Sequence, residues 1–186
     1  MVNIGMGQAG ESLARLFDKF IQLSLPRIQI VEPPSVADAM LSMLGHGTPV
    51  TAVRQAFSSR IRGEALVFYT DATCAGLADL VGYPGASTDE LLLDVTNVLV
   101  GACISGIAAQ FALALAFSPP SLLGRSEGTA LVLAGAVMPW CRALLAEVNF
   151  RVEGRTFECH MLMFWPDDAM DILAKAIDDL LATVAE

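Results

Sequence analysis

Basic residues are scarce in this sequence. Only 11 of 186 residues are Lys or Arg, against 20 Asp and Glu, for a formal charge of -9. A phosphate backbone is bound by clustered Lys and Arg, and no such cluster is present, which argues against a nucleic-acid partner. Acidity of this size serves solubility and, at most, fits a partner with a basic face. Histidine is scarcer still, and His46 and His160 stand without metal-like neighbours. The four cysteines, Cys74, Cys103, Cys141 and Cys159, form no C-x-x-C pair, and each lies in an apolar stretch. A zinc site needs tighter ligand spacing, so these thiols read as small hydrophobes. The first residues, Met1 to Gly5, contain neither a basic region nor an apolar run, so no signal peptide is visible. The expectation is a reduced, cytoplasmic protein with no metal or cofactor of its own.

Apolar residues are abundant. They make up 54% of the chain, with only 17% charged, enough for a large core and too apolar for disorder. The length fits one domain or a tightly packed pair of half-domains. Val98 to Phe117 runs twenty residues without a charge, long enough to cross a bilayer. Gln110 and Ser105 interrupt it, however, and no Lys or Arg flanks it to set an orientation. We read it as the central helix of a core rather than as a membrane span.

Periodicity predicts a helix from about Gly7 to Phe20, with Leu13, Leu16, Phe17 and Phe20 on one face. A strand is expected over Pro26 to Val31, ended by Pro33 and Pro34, and then a short helix from Ser35 to Leu44 stopped by Gly45. Two strand-like runs follow, Val50 to Ile61 and Glu64 to Thr70, turning at Arg62 and Gly63. A helix from Asp71 to Val81 closes the first half, and residues 83–86 read as a linker. Ser87, followed by Glu90, is a capping box that opens a long helix reaching about Phe117. Ser118, Pro119 and Pro120 break it. A strand pair, Ala143 to Val152 and Thr156 to Trp165, turns at Glu153 and Gly154, and a last helix is expected from Asp167 to about Val184. The order of helix, strand, hairpin and helix occurs twice, so the chain reads as a single domain with an internal duplication, residues 1–85 and 86–186.

A sharper mark accompanies the repeat. The sequence has three asparagines, and two of them, Asn3 and Asn97, are each followed after 22 intervening residues by proline, Pro26 and Pro120. With proline at roughly one position in twenty, that coincidence arises by chance only about 1% of the time. A second pattern is a decoy. Gly5, Gly7 and Gly10 spell the G-x-G-x-x-G of a dinucleotide site, with Glu32 at about the distance of a ribose contact. The strand that should precede the glycines is missing, so the turn has no scaffold and a nucleotide role is rejected.

Glu90, Asp94 and Asn97 fall at i, i+4 and i+7 and share one helix face, and Gly101 continues it. Asp, Asn and Gly are poor interior helix residues, together costing on the order of 2 kcal/mol relative to alanine. Glu90 is accounted for by the capping box alone, Asp94 by the positive end of the helix and Asn97 by a bond to a loop carbonyl. The matched proline spacing favours a functional role for Asn97.

Glu90, Asp94, Asn97 and Pro120 follow the spacing of a motif: an acidic or serine residue, three residues, Glu, two residues, Asn, 22 residues, Pro. It resembles that of the CheC/CheX/FliY phosphatases of bacterial chemotaxis. Asn3 with Pro26 resembles the motif's other copy, and the hairpin segments Arg62 to Tyr69 and Val152 to Trp165 resemble the family's paired strands. The resemblance implies an α+β fold, sandwich-like, of two pseudosymmetric halves sharing a continuous antiparallel sheet, with the motif helices on one face. It implies a phosphorylated CheY-like receiver as substrate, its Mg²⁺ held by the receiver, and a CheD-like protein as a candidate further partner. By the same resemblance Asn97 orients the attacking water, Asp94 pairs with a receiver lysine, and Glu90, Gly101 and Pro120 belong to the receiver-binding surface. The family usually carries Glu where this chain has Asp94, which shortens the reach by about 1.5 Å. The acidic partner of Asn3 would fall before Met1. One competent site, on Asn97, and one degenerate site, on Asn3 and Pro26, are therefore expected. The alternative is a receiver-binding or adaptor module of the same fold that does not hydrolyse.

Overall fold

The structure is a computed structural model that describes residues 2–23, 27–31, 38–39, 41–42, 44–45, 48–58, 62–81, 87–109, 114–128, 132, 142–152 and 155–165. Its first helix, α1, spans Val2–Phe17. Asp18 then takes a left-handed φ of 50°, and the Lys19 N–H bonds the Ala14 carbonyl at 3.1 Å, the closing bond of a Schellman turn. The helix thus stops short of the expected Phe20. Leu13 and Phe17 are buried, while the turn carries Phe20 off the apolar face and leaves it 83% exposed, and Leu16 is also exposed. Gly5, Gly7 and Gly10 lie inside α1, so these glycines form helix and not a phosphate-binding turn.

Among the described residues eight strands form one sheet: β1 (Ile21–Leu23), β2 (Arg27–Val31), β3 (Pro49–Ser58), β4 (Arg62–Thr70), β5 (Ala116–Phe117), β6 (Ser121–Gly128), β7 (Arg142–Val152) and β8 (Arg155–Trp165). The order is β1-β7-β8-β4-β3-β5, with β2 also on β7 and β6 also on β3. All these pairings are antiparallel. Each outer position is filled by two short strands in succession, β1 with β2 at one edge and β5 with β6 at the other. In the second case the interruption is Ser118, Pro119 and Pro120, where proline's missing N–H suits a break in an edge strand.

Two further helices complete the described elements: α2 (Asp71–Val81) and α3 (Thr88–Ala109). The α2 limits are those expected from the sequence. The Glu90 N–H bonds the Ser87 hydroxyl at 3.2 Å, so Ser87 caps α3 as expected. The apolar faces of α1 and α3 pack side by side over one face of the sheet, Leu13 and Phe17 with Leu92, Val95, Leu99 and Cys103 above Val53, Val67, Tyr69 and Met161. Strand alternation sends Ala52, Leu66, Phe68, Leu162 and Phe164 to the opposite face, where Leu44 and Val132 cover them. Residue 45 is a glycine with φ of 86° whose N–H bonds the Leu41 carbonyl, the helix stop expected there.

The fold corrects the sequence reading in two further places. Phe117 lies in strand β5, not in the long helix, because an uncharged apolar run fits an edge strand as well as a helix. Among the described residues no helix is long and apolar enough to cross a membrane. Arg62 and Gly63 are not a turn: Ser58 pairs with Arg62 and Phe57 with Gly63 inside the β3–β4 ladder. Glycine is required at 63 by close approach, since a Cβ there would sit 2.4 Å from the Phe164 carbonyl oxygen and 2.5 Å from Phe57 Cζ. The hairpin of β7 and β8 matches expectation within a residue. The segments 32–37, 82–86, 153–154 and 166–186, with Pro26, Cys141 and the expected last helix, lie outside the described residues.

Gly63→Ala is expected to destabilise the protein by about 1–3 kcal/mol in urea unfolding, since backbone and a packed ring must both move. A second expectation concerns pH. Burial pushes the Cys103 thiol from its ordinary 9.0 up to about 12, and Tyr69 is also raised by burial. Above pH 9 the unfolded chain therefore loses these protons first and gains relative to the native state. Stability should hold below pH 9 and fall progressively toward pH 12, with Cys103→Ala showing a shallower fall when unfolding midpoints are followed across that window.

Candidate functional site

Helix α3 buries Leu91, Leu92, Val95, Thr96, Leu99, Val100 and Cys103. Glu90, Asp94, Asn97 and Ser105 are exposed on its other side, and Gly101 lies half-buried between the last two. The sequence-derived stripe is thus real and faces outward. A Cβ added to Gly101 would meet nothing within 4 Å, so no packing inside the molecule calls for glycine at this place.

Asn97 is tied to the sheet at its inner edge. Its Oδ1 accepts a hydrogen bond of 2.7 Å from Gln55 Nε2, and the same nitrogen donates to the Ser118 carbonyl at 3.0 Å. Gln55 comes from β3 and is fully buried. Ser118 is itself fixed against β3, its N–H donating to the Ala56 carbonyl at 2.9 Å and its Oγ accepting from the Ala56 N–H at 3.0 Å. Asn97 is therefore linked through Gln55 to the interruption between β5 and β6, two residues before Pro120. One residue back, Thr96 Oγ1 and the Tyr69 hydroxyl lie 2.8 Å apart in the core, which pins the same turn of α3 to β4.

Sequence reasoning missed Gln55. The signal was present: along β3, residues 51, 53, 55 and 57 share the face that carries Val53 and Phe57 into the core, and Gln55 is a long polar side chain in that row. Its Oε1 is buried without a hydrogen-bond partner among the described residues. Such an orphan costs on the order of 1–3 kcal/mol, a penalty that points to a function.

Of the other candidate residues, Asp94 and Glu90 stand exposed on the α3 stripe with Asn97. Asn3 falls in the first turn of α1, and Pro26, its matched proline, lies outside the described residues. A hollow of about 360 Å³ opens between the N-terminal ends of α2 and α3 and β6, but it contains neither Asn97 nor Gln55. Arg125 there pairs with Asp89, and the Ser126 hydroxyl donates to Asp71 at 2.8 Å. Cys74, on its wall, has its thiol raised by burial, so it is not an activated nucleophile. Among the described residues no group of three or more His, Cys, Asp or Glu could hold a metal ion. The exposed stripe can offer a carboxylate and an amide, the means to pair with a cation and to orient a small oxygen nucleophile.

No family model and no curated protein sequence matches the chain. Solved structures do match in fold. FliY from Thermotoga maritima superposes with a TM-score of 0.70 at 13% identity, over 95% of this chain and 91% of that one. The FliM middle domain (residues 51–229) from Vibrio alginolyticus gives 0.63 at 11% identity, over 94% and 98%. The CheX–CheY–BeF₃–Mg²⁺ complex from Borrelia burgdorferi gives 0.53 at 11% identity, over 89% and 97%. The mixed fold of helices and one antiparallel sheet expected from the motif resemblance is the fold observed, shared with FliY, FliM and CheX.

Gly101→Ala should raise thermal stability by about 0.5–1 kcal/mol, because an interior helix glycine is replaced where its Cβ meets open space. A loss of stability on that substitution would show a packing constraint at Gly101.

Proposed function

We propose that this chain is a phosphatase acting on the aspartyl phosphate of a CheY-like receiver, with Asn97 orienting the attacking water. The observation that carries the reading is the exposed Asn97 amide anchored from beneath by a buried glutamine. The CheX structure bound to CheY, BeF₃ and Mg²⁺ supports it as a fold analogue with a receiver partner.

The chemistry asks little of the protein beyond positioning. Water attacks phosphorus, the bond to the receiver's aspartate oxygen breaks, and phosphate and the free carboxylate are released. The transition state is loose, its charge is spread over the phosphoryl oxygens, and a receiver supplies its own Mg²⁺ and lysine. A neutral amide holds the water in line without repelling the phosphoryl group, as a carboxylate would. Asp94, one turn earlier on the same stripe, pairs with the receiver's lysine and fixes the docking register. Glu90 extends the acidic edge, Gly101 permits close approach of the partner's backbone, and Pro120 ends the edge strand beside the site.

A second reading is a binding module that recognises a receiver without hydrolysing it. Asp94 favours it, because its carboxylate reaches about 1.5 Å less far than glutamate.

The test is phosphate release from a phosphorylated CheY-type receiver, wild type beside Asn97→Ala. Wild type should accelerate release, and Asn97→Ala should lose about 100-fold or more of that acceleration while still binding. Phosphorylation-dependent binding without acceleration by wild type would decide for the binding module.

A further inference from the structure

We propose that Gln55 is the positioning residue of this site, setting which end of the Asn97 amide faces the partner. The proposal rests on the reading of Asn97 as the residue that orients water. It starts from an atom whose chemistry is unambiguous. The Ser118 carbonyl oxygen can only accept, so the end of Gln55 that faces it at 3.0 Å is Nε2. The same nitrogen faces Asn97 at 2.7 Å, and both its hydrogens are then committed to acceptors, which makes the facing atom of Asn97 its Oδ1. The Asn97 Nδ2 is left with its two N–H donors on the exposed side. The reverse arrangement would set the Gln55 oxygen against two other oxygens.

Two consequences follow for chemistry. The Asn97 amide presents donors rather than an acceptor to its target, so it donates to the oxygen of the attacking water and leaves the water's other lone pair for phosphorus. The amide is also held before any partner arrives, which removes a rotation that docking would otherwise have to freeze. At this site the link joins Asn97 to the strand interruption that holds its matched proline. The interruption before Pro120 is what brings the Ser118 carbonyl to Gln55.

At the other edge of the sheet the matching register position carries a different residue type. Gln55 follows Arg54, which pairs with Ser121, and precedes by two residues Phe57, which pairs with Phe117. On β7, Val148 follows Glu147, which pairs with Arg27, and precedes by two residues Phe150, which pairs with Leu23. The register position of Gln55 is thus occupied by valine, a residue with no donor to offer Asn3.

The experiment compares wild type, Gln55→Met and Gln55→Glu, each also in the Asn97→Ala background, by steady-state phosphate release from a phosphorylated CheY-type receiver. Gln55→Met keeps the volume and removes the donor. It should lower kcat by about 10–100-fold with KM changed less than about threefold, and should have no further effect once Asn97 is alanine. Gln55→Glu sets oxygen against Ser118 and Asn97 and should lower kcat at least as far. In parallel, the Asn97 side-chain amide is followed by ¹⁵N NMR on the full chain, where Gln55→Met should shift the pair toward free-asparagine values. Full kcat in both variants would overturn the proposal while leaving the phosphatase reading intact. Should wild type release no phosphate, the phosphatase reading fails, and unchanged Asn97 amide signals in Gln55→Met would overturn the positioning role on their own. A variant that fails to fold is recognised by its lost receiver binding, and Gln55→Leu then replaces it in the same cycle.

Discussion

The pairing of β4 with β8 is the constraint on which the rest of the molecule depends. The ladder from Glu64–Phe164 to Tyr69–Cys159 joins two hairpins into one sheet and leaves β3 and β7 as the outer strands of the pair. Each outer strand then accepts an edge contributed by the opposite part of the chain. The strands that follow α3 pair with β3, and those that follow α1 pair with β7. The candidate site is a product of that exchange. Asn97 and Ser118 come from one side of the chain's midpoint and Gln55 from the other, 42 residues before Asn97. Neither segment alone holds the three groups together.

Local energetics sharpen the case that the site answers to something outside the molecule. Asp94, Asn97 and Gly101 weaken α3, and beneath them a buried glutamine oxygen has no hydrogen-bond partner among the described residues. Alanine at 101 would serve the fold better, and a hydrophobic residue at 55 would bury no unpaired oxygen. Residues that cost the fold stability in this way are what a contact with another molecule leaves behind.

Much of the fold was legible in the sequence, for reasons particular to each element. The β7–β8 hairpin and α2 could be read closely because strand alternation and a clean Asp71 start leave few alternatives. Ser87 marked the start of α3, but not its end. The chain beyond Ala109 is apolar and uncharged, and its composition does not separate a helix from the edge strand that includes Phe117. Strand β6 was invisible because Ser121 to Gly128 shows no alternation, its burial being that of an edge. Arg62 and Gly63 looked like a turn because glycine's freedom is the common reason to find it, whereas here the reason is the closeness of Phe57 and Phe164. The polar stripe of α3 was readable from helical spacing. Gln55 was not, since its partners lie far along the chain and only the row of core-facing residues in β3 betrays it.

The way α3 is held gives each of its polar residues a different freedom. Thr96 is bonded to Tyr69 on β4 and Asn97 to Gln55 on β3, so two consecutive residues of one turn are tied to two neighbouring strands. A helix anchored that way can neither roll nor slide without breaking a buried bond. The amide of Asn97 is then fixed in place and in orientation, which suits the proposed role of holding water against phosphorus. Asp94, a turn earlier, is exposed and has no hydrogen-bond partner among the described residues, so its carboxylate keeps its rotamers. On the proposed reading, a rigid amide beside a mobile carboxylate divides the work by physics: the carboxylate would adapt to find a cation and seat the partner, and the amide would wait in a geometry that seating does not have to create.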